Sequence, residues 1–247
     1  MSLLEAGLIV LAGLAAGAIN AVVGSGSLIT FPTLVWVGLP PVVANVSNTV
    51  GLVPGGVSGA WGYRRELIGQ RGRLLRLGTG TLLGSIVGAT LLLVLPPGVF
   101  ATVVPALILL ACVLVLIQPW LVRKLADRPR RDHGGPLVSV FVFATGMYGG
   151  YFGAAQGVLL IAVLALGLDE TLQRVNAAKN VLAGLANLAA GVLFIVVADV
   201  NWAAAGLVAV GAAAGGLAGA RLARLLPPAG LRAAVVFIGI VAVVTLV

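Results

Sequence analysis

The feature that most constrains this chain is where it carries no charge. Apolar segments fall at roughly 3–23, 27–38, 42–62, 75–95, 99–121, 137–152, 155–168, 175–198, 203–220 and 231–247, and the ionisable residues lie almost entirely between them. A helix needs about 20 apolar residues to cross a hydrocarbon core of about 30 Å, and most segments approach that length. The runs are continuous rather than alternating, which points to helices and not to the strands of an outer-membrane barrel. Charged residues make up 9% of the 247 residues and hydrophobic ones 60%; a soluble domain carries about 25% charged residues. Such a chain cannot cover its own surface with polar groups. An ordinary cytosolic enzyme, a disordered protein and a nucleic-acid binder are excluded. The expected fold class is an all-α polytopic membrane protein.

The net charge of +8 does not point to nucleic acid, because the 15 Lys and Arg gather at the ends of spans. Arg64, Arg65, Arg71, Arg73 and Arg76 form one cluster, and Arg123, Lys124, Arg128, Arg130 and Arg131 a second. Arg174 and Lys179 form a pair, and Arg221, Arg224 and Arg232 flank a short turn. This is the positive-inside pattern. It places the basic loops in the cytoplasm, the protein in the plasma (inner) membrane and both termini outside. The first segment has Glu5 and no basic stretch before it, so it reads as a retained span rather than a signal peptide. Trp61 and Trp120 then fall near the inner interface, and Trp36 and Trp202 near the outer one. Cys112 is a lone cysteine inside an apolar run, so neither an intrachain disulfide nor a cysteine metal site is expected.

The chain is duplicated. Gly17, Gly24 and Gly38 recur 129 residues later as Gly146, Gly153 and Gly167. Beyond them the offset is 131: Asn45 maps to Asn176, Asn48 to Lys179, Gly84 and Gly88 to Gly215 and Gly219, and Pro96-Pro97 to Pro227-Pro228. The boundaries expected are 1–122 for the first repeat, 123–135 for a cytoplasmic basic linker and 136–247 for the second repeat. The loop 64–76 is rich in Arg, whereas its counterpart at Asp199-Val200-Asn201 has no base. The Pro96-Pro97 turn has none nearby, whereas Pro227-Pro228 is flanked by three. Charge changes sides at both places, which is the signature of two inverted-topology repeats.

Two pairs of short segments are joined through glycine, at Gly24-Ser25-Gly26-Ser27 and at Gly149-Gly150 with Gly153. Short, glycine-broken segments in corresponding places of two repeats are the best sequence pointer to a transport site. The broken pairs are therefore expected to meet near the membrane midplane. The same glycines would also permit tight helix packing. A helix starting after such a break offers backbone N–H groups and a partial positive charge to an anion. This brings in Gly24, Ser25, Gly26 and Ser27 in one half, and Gly153 and Gln156 in the other.

The seven acids, Glu5, Glu66, Asp127, Asp132, Asp169, Glu170 and Asp199, all lie outside the spans or at their edges. The single His, His133, lies in the basic linker. That argues against a carboxylate-coupled cation transporter and against intramembrane proteolysis, and neither a metal nor a cofactor is expected. Lys179 is the exception among the charges. A helix beginning near Asp169 would carry it towards mid-membrane, where an ionisable group is a functional hypothesis by default. A helix beginning near Val175 would leave it snorkelling to the inner headgroups. Asn45 and Asn48, like Asn176 and Lys179, are three apart and share a helix face; Asn180 adjoins the second pair. Two such faces would form a neutral or positive cage suited to an anion.

These residues carry a family resemblance. The first half (Gly17 to Asn20, the Gly24-Ser25-Gly26-Ser27 turn, Pro32, Gly38-Leu39-Pro40, Ala44-Asn45, Gly59 and Tyr63-Arg64-Arg65) resembles the TauE/SafE-type sulfite exporters. So does the second half, through Arg174-Val175-Asn176-Ala177-Ala178-Lys179-Asn180, Val200-Asn201-Trp202 and Gly215 to Arg221. The resemblance implies a transporter moving sulfite, an organosulfonate or a related small anion, usually outward. With it the expected function is a secondary transporter working by alternating access, and no enzyme is expected because no acid–base pair lies inside the spans. Other readings of the residues are a passive anion channel on the same fold and a membrane assembly subunit without transport. The partners expected are a small anionic substrate, the lipid bilayer and a second copy of the chain in a homo-oligomer.

Overall fold

The computed structural model describes residues 1–125, 135–222 and 228–246. Most of the 123–135 linker, with Arg128, Arg130, Arg131 and His133, lies outside the described residues, as do Arg224, Pro227 and Val247. Every element among the described residues is a helix: α1 Leu3–Val22, α2 Ser27–Trp36, α3 Pro41–Gly62, α4 Arg71–Val94 and α5 Pro97–Leu125, then α6 Pro136–Tyr151, α7 Gln156–Gly167, α8 Leu172–Val197, α9 Trp202–Leu222 and α10 Pro228–Leu246. Five of them, α1, α4, α5, α8 and α9, are long and apolar enough to cross a membrane. The all-helical class expected from the apolar runs is what forms.

Local chemistry sets the boundaries. Ser2 caps α1 through a capping box with Glu5. Proline opens α3, α5, α6 and α10, where its missing N–H costs nothing. Thr171 caps α8 by accepting from Arg174 N, so that helix starts between the two positions the sequence left open. The helix α4 begins at Arg71, earlier than the apolar run, and takes Arg71, Arg73 and Arg76 into its first turns. The expected four Trp all lie exposed, close to helix ends.

The two breaks have matching backbone. Gly24 N–H donates to Ile19 O at 3.0 Å, and Gly153 N–H to Tyr148 O at 3.1 Å, 129 residues further on. Gly24 and Gly153 adopt φ of 90° and 76°, a region that glycine enters without the Cβ penalty.

Helix packing exchanges between the halves. The helix α1 packs on α9, and its counterpart α6 packs on α4. In the same way α3 packs on α9 and α8 on α4, while α2 meets α10 and α7 meets α5. The helices α3 and α8 pack on one another and run antiparallel: Val50 and Val53 lie at Gly191, Gly56 at Gly184, and Gly59 at Asn180. Rows of glycine make the closest contacts. A Cβ at Gly84 or Gly88 of α4 would overlap the backbone of Phe143 or Met147 of α6. One at Gly211, Gly215 or Gly219 of α9 would overlap Val10, Leu14 or Ala18 of α1. Both pairs run parallel. Helices in lipid gain no hydrophobic drive from meeting one another, so this backbone approach through small residues is what holds them.

Candidate functional site

The site grows out of the broken ends. An α-helix leaves its last carbonyls without intrahelical partners, and its C-terminus carries partial negative charge. At the end of α1 these carbonyls meet three side chains from α8. Asn176 Nδ2 donates to Ala21 O at 3.0 Å and Asn180 Nδ2 to the same oxygen at 3.2 Å. Lys179 Nζ donates to Asn20 O at 2.6 Å, Ala21 O at 3.3 Å and Asn180 Oδ1 at 3.2 Å. Lys179 is fully buried, so its side chain turns into the protein and does not snorkel. At the end of α6 the equivalent role falls to Asn45 of α3, whose Nδ2 donates to Tyr151 O at 3.0 Å. Each half's third helix thus caps the broken helix of the other half.

Asn48 sits at the repeat position of Lys179 but has different partners. Its Nδ2 donates to Ser27 Oγ at 3.3 Å and its Oδ1 accepts from Thr30 Oγ1, both on α2. The expectation that the two polar faces enclose one common cage is therefore corrected. Asn48 braces the start of its own half's α2, and Lys179 the end of the other half's α1. The physical reason is side-chain length: the lysine stem reaches past α7, against Gly157, whereas the asparagine does not leave its own helix pair.

The two breaks touch, with Gly157 N–H donating to Gly24 O at 3.0 Å. A Cβ on either glycine would lie 2.5 Å from the other's Cα. Beside this contact is a small polar cavity of about 30 Å³, room for a water or two. Ser27, Gln156, Asn180, Gly24 and Gly153, all among the candidate residues of the sequence, line it; Asn20, Gly55, Gly56, Gly157, Ala183, Gly184 and Asn187 complete the wall. Lys179 lies one layer behind, bonded to Asn20 and Asn180 of that wall. Ser25, Gly26, Asn45, Asn48 and Asn176 are not on the wall; the last four bond to the broken ends.

The backbone donors at the start of α7 are engaged: Gln156 with Gly153 O, Gly157 with Gly24 O, and Val158 and Leu159 with Ala155 O. The amide of Gln156 is the donor that remains. It is 3% exposed, and its Nε2 has no partner. Ser25 Oγ is likewise buried and unpartnered. No His, Cys, Asp and Glu among the described residues gather as metal ligands.

Asn20 and Asn187 are wall residues that the sequence reading missed. Asn187 lies seven and eleven residues after Asn180 and Asn176 and so shares their helix face, a spacing legible in the sequence. An open apolar groove of about 380 Å³ between α3 and α8 shares Gly56, Asn180 and Gly184 with the cavity wall. Arg64 and Trp61, stacked with 5.3 Å between the guanidinium and the ring, line this groove. On α2, α5 and the α6–α7 break, Phe31, Phe100, Tyr151 and Phe152 interlock edge to face.

Long apolar helices, two broken pairs joined backbone to backbone and a buried polar cavity between them define a multi-pass membrane transporter. The chain belongs to the sulfite exporter TauE/SafE family, whose family model matches residues 9–246. It is 28% identical over 217 residues to the probable membrane transporter protein YfcA of Escherichia coli strain K12, covering 87% of this chain and 80% of that one. It is also 28% identical over 215 residues to a probable membrane transporter protein of Haemophilus influenzae strain Rd, covering 85% and 82%. No solved structure matches the chain.

Proposed function

We propose that this chain carries a small oxyanion, sulfite or an organosulfonate, out across the plasma (inner) membrane by alternating access. The observation that carries this reading is the cavity wall: an unpartnered, buried Gln156 amide faces it, and Lys179 stands one layer behind; at about 30 Å³ the cavity is closed here, and the anion enters it when alternating access parts the wall. Hydrogen-bond donors and positive charge with no carboxylate suit an anion. Asn20, Ser27, Asn180 and Asn187 supply further neutral groups, Asn45, Asn48 and Asn176 hold the frame, and Ser25, beside the first break, keeps a free buried hydroxyl. Two halves of inverted topology, with breaks near the membrane midplane, account for the exchanged packing and the antiparallel α3 and α8. In that orientation the groove beside Arg64 is the cytoplasmic approach, and the aromatic cluster closes the outer one.

Flux into proteoliposomes tests the reading. Purified protein should move labelled sulfite or ethanesulfonate saturably, and unlabelled anion on the far side should accelerate entry. Gln156→Leu should reduce uptake at least about tenfold, the equivalent of one lost hydrogen bond of about 1.4 kcal/mol to an anion. Unsaturated flux that follows membrane potential alone would make the protein a channel. No flux of any anion would leave an assembly subunit.

A further inference from the structure

Among the described residues Lys179, which is buried, has no ionic partner: its Nζ lies within hydrogen-bond distance of neutral acceptors alone, namely the Asn20 and Ala21 carbonyls and Asn180 Oδ1. Among the described residues no carboxylate bonds to it, neither from the elements packed on α8 nor from Glu66 in the turn after α3. On α1 the only titratable side chain is Glu5, at the far end. The α3 end presents the Tyr63 hydroxyl, which accepts from Asn176. On α4, Arg71, Arg73 and Arg76 lie in the first turns, and Arg73 is paired with Glu170, nine residues before Lys179. Arg174, on α8 itself, binds the same Glu170. The titratable groups of α6 are Tyr148 and Tyr151, the former donating to Ala154 O, and α7 has none. The cavity is separated from the ammonium by its own hydrogen-bond partners, Asn20 and Asn180, and by Gly157, where a Cβ would stand 2.9 Å from Lys179 Cδ.

We infer that Lys179 is the proton-coupling site of this transporter: an anion in the cavity and a proton on Lys179 are taken up together and released together. This rests on the cavity being the anion site, as proposed above. The free amine takes a proton from water on the side to which the cavity is open. The bound anion supplies the counter-charge that the neutral amides and carbonyls do not. The ammonium–anion pair crosses with no net charge, and the proton leaves to water when the anion does. Binding of one partner strengthens binding of the other by the same factor, because linkage is reciprocal. Transport is then electroneutral, and its direction follows the anion and pH gradients together.

The test uses the whole chain in proteoliposomes and ethanesulfonate, an anion that stays ionised across the working pH range. A luminal pH dye should report acidification in step with uptake of the labelled anion, and a potassium–valinomycin potential should leave the rate unchanged. In detergent, ethanesulfonate affinity should fall as pH rises, towards about tenfold per unit on the alkaline side. In Lys179→Arg, whose side chain does not titrate, any remaining affinity should be flat with pH. Uptake without luminal acidification, or with a rate that follows the potential, overturns the coupling and leaves anion transport standing. A pH dependence retained in Lys179→Arg assigns the proton elsewhere and overturns it too. Absence of any ethanesulfonate uptake overturns the anion-site reading and this inference with it.

Discussion

Gln156 and Ser27 open α7 and α2 at corresponding positions, and their difference in size is absorbed by their neighbours. In the first half the long polar arm belongs to α1: Asn20 Oδ1 accepts from Gly26 N–H at 2.6 Å, and Ser27 is short. In the second half the counterpart of Asn20 is Gly149, and the Gln156 amide fills the space; a Cβ at Gly149 would overlap it. Two substitutions should therefore both weaken anion binding at least about tenfold while differing in stability. Gly149→Ala should expel the amide and lower the melting temperature. Gln156→Leu should leave it equal or higher, because a buried donor without a partner costs about 1–3 kcal/mol. Thermal melts with and without ethanesulfonate separate the two; ligand-induced stabilisation of Gln156→Leu equal to wild type would remove Gln156 from the site. At this scale the polar residues inside apolar helices were legible, and five of those expected at the site do line the cavity. What was not legible is direction. Asn45, Asn48 and Lys179 are alike in pattern, but Asn45 and Lys179 reach the other half's broken end, whereas Asn48, on the same helix as Asn45, bonds to α2.

Among elements, the breaks and the glycine rows make different demands on their glycines. Gly24 needs both its positive φ and the absence of a Cβ, because Gly157 lies against it; Gly153 needs mainly the φ, its nearest neighbour being Gly149 O at 3.1 Å. Gly153→Ala should cost about 1–2 kcal/mol of backbone strain, and Gly24→Ala distinctly more, since overpacking adds about 1–3 kcal/mol. Along α4 and α9 the contrast is sharper. Gly88→Ala should destabilise by about 2 kcal/mol or more, because Met147 O occupies the place of the Cβ. Gly206→Ala should be neutral or stabilise by up to about 1 kcal/mol, because nothing lies within 4 Å. Melting curves in one detergent would rank the four; equal losses at Gly88 and Gly206 would reject close packing as the role of the row. Helix existence and most ends were legible because apolar runs, proline starts and glycine breaks are local signals. The recurrence of Gly84 and Gly88 as Gly215 and Gly219 is a feature of the sequence itself. That each row packs on the other half's first helix was not, because partner choice is non-local.

Across the whole molecule, one ionic cluster ties the halves at what the basic loops mark as the cytoplasmic side. Glu170 meets Arg73 of α4 at 2.9 Å and Arg174 of α8 at 2.5 Å, and Arg174 also donates to Ile68 O. Burial works to raise the Glu170 carboxyl, but the hydrogen bonds and charge of Arg174 and Arg73 outweigh it and hold the group below its ordinary range. The stabilisation is then complete above the unfolded carboxyl's value of about 4.3 and is lost as pH falls through the depressed folded value. Glu170→Gln should lower stability by about 1 kcal/mol at neutral pH and flatten the acid limb of the melting profile; an unchanged acid limb would count against the cluster. Orientation has its own check. In a Cys112→Ala background, a cysteine at Gly98 or Asn201 should react with an impermeant reagent from outside, and one at Arg71 should not. Labelling at Arg71 would reverse the topology. The charge pattern supplies the expectation of orientation that this labelling tests, whereas the clamp needed the fold, because Arg73 and Glu170 are 97 residues apart.

The packing of α1 on α9 also has a consequence for synthesis. Val22 ends α1, and Trp202, which opens its partner, emerges some 180 residues later. At about 5–20 residues per second, the first helix waits roughly 10–40 s for the surface it was shaped to meet. Throughout that interval the glycines at positions 13 and 17 face lipid, translocon or chaperone instead of α9, and for most of it, until α8 emerges, the carbonyls of Asn20 and Ala21 lack their caps. The first half, released by itself, lacks the lysine that will close its broken end. Assembly of this membrane protein is therefore completed from its last helices back to its first.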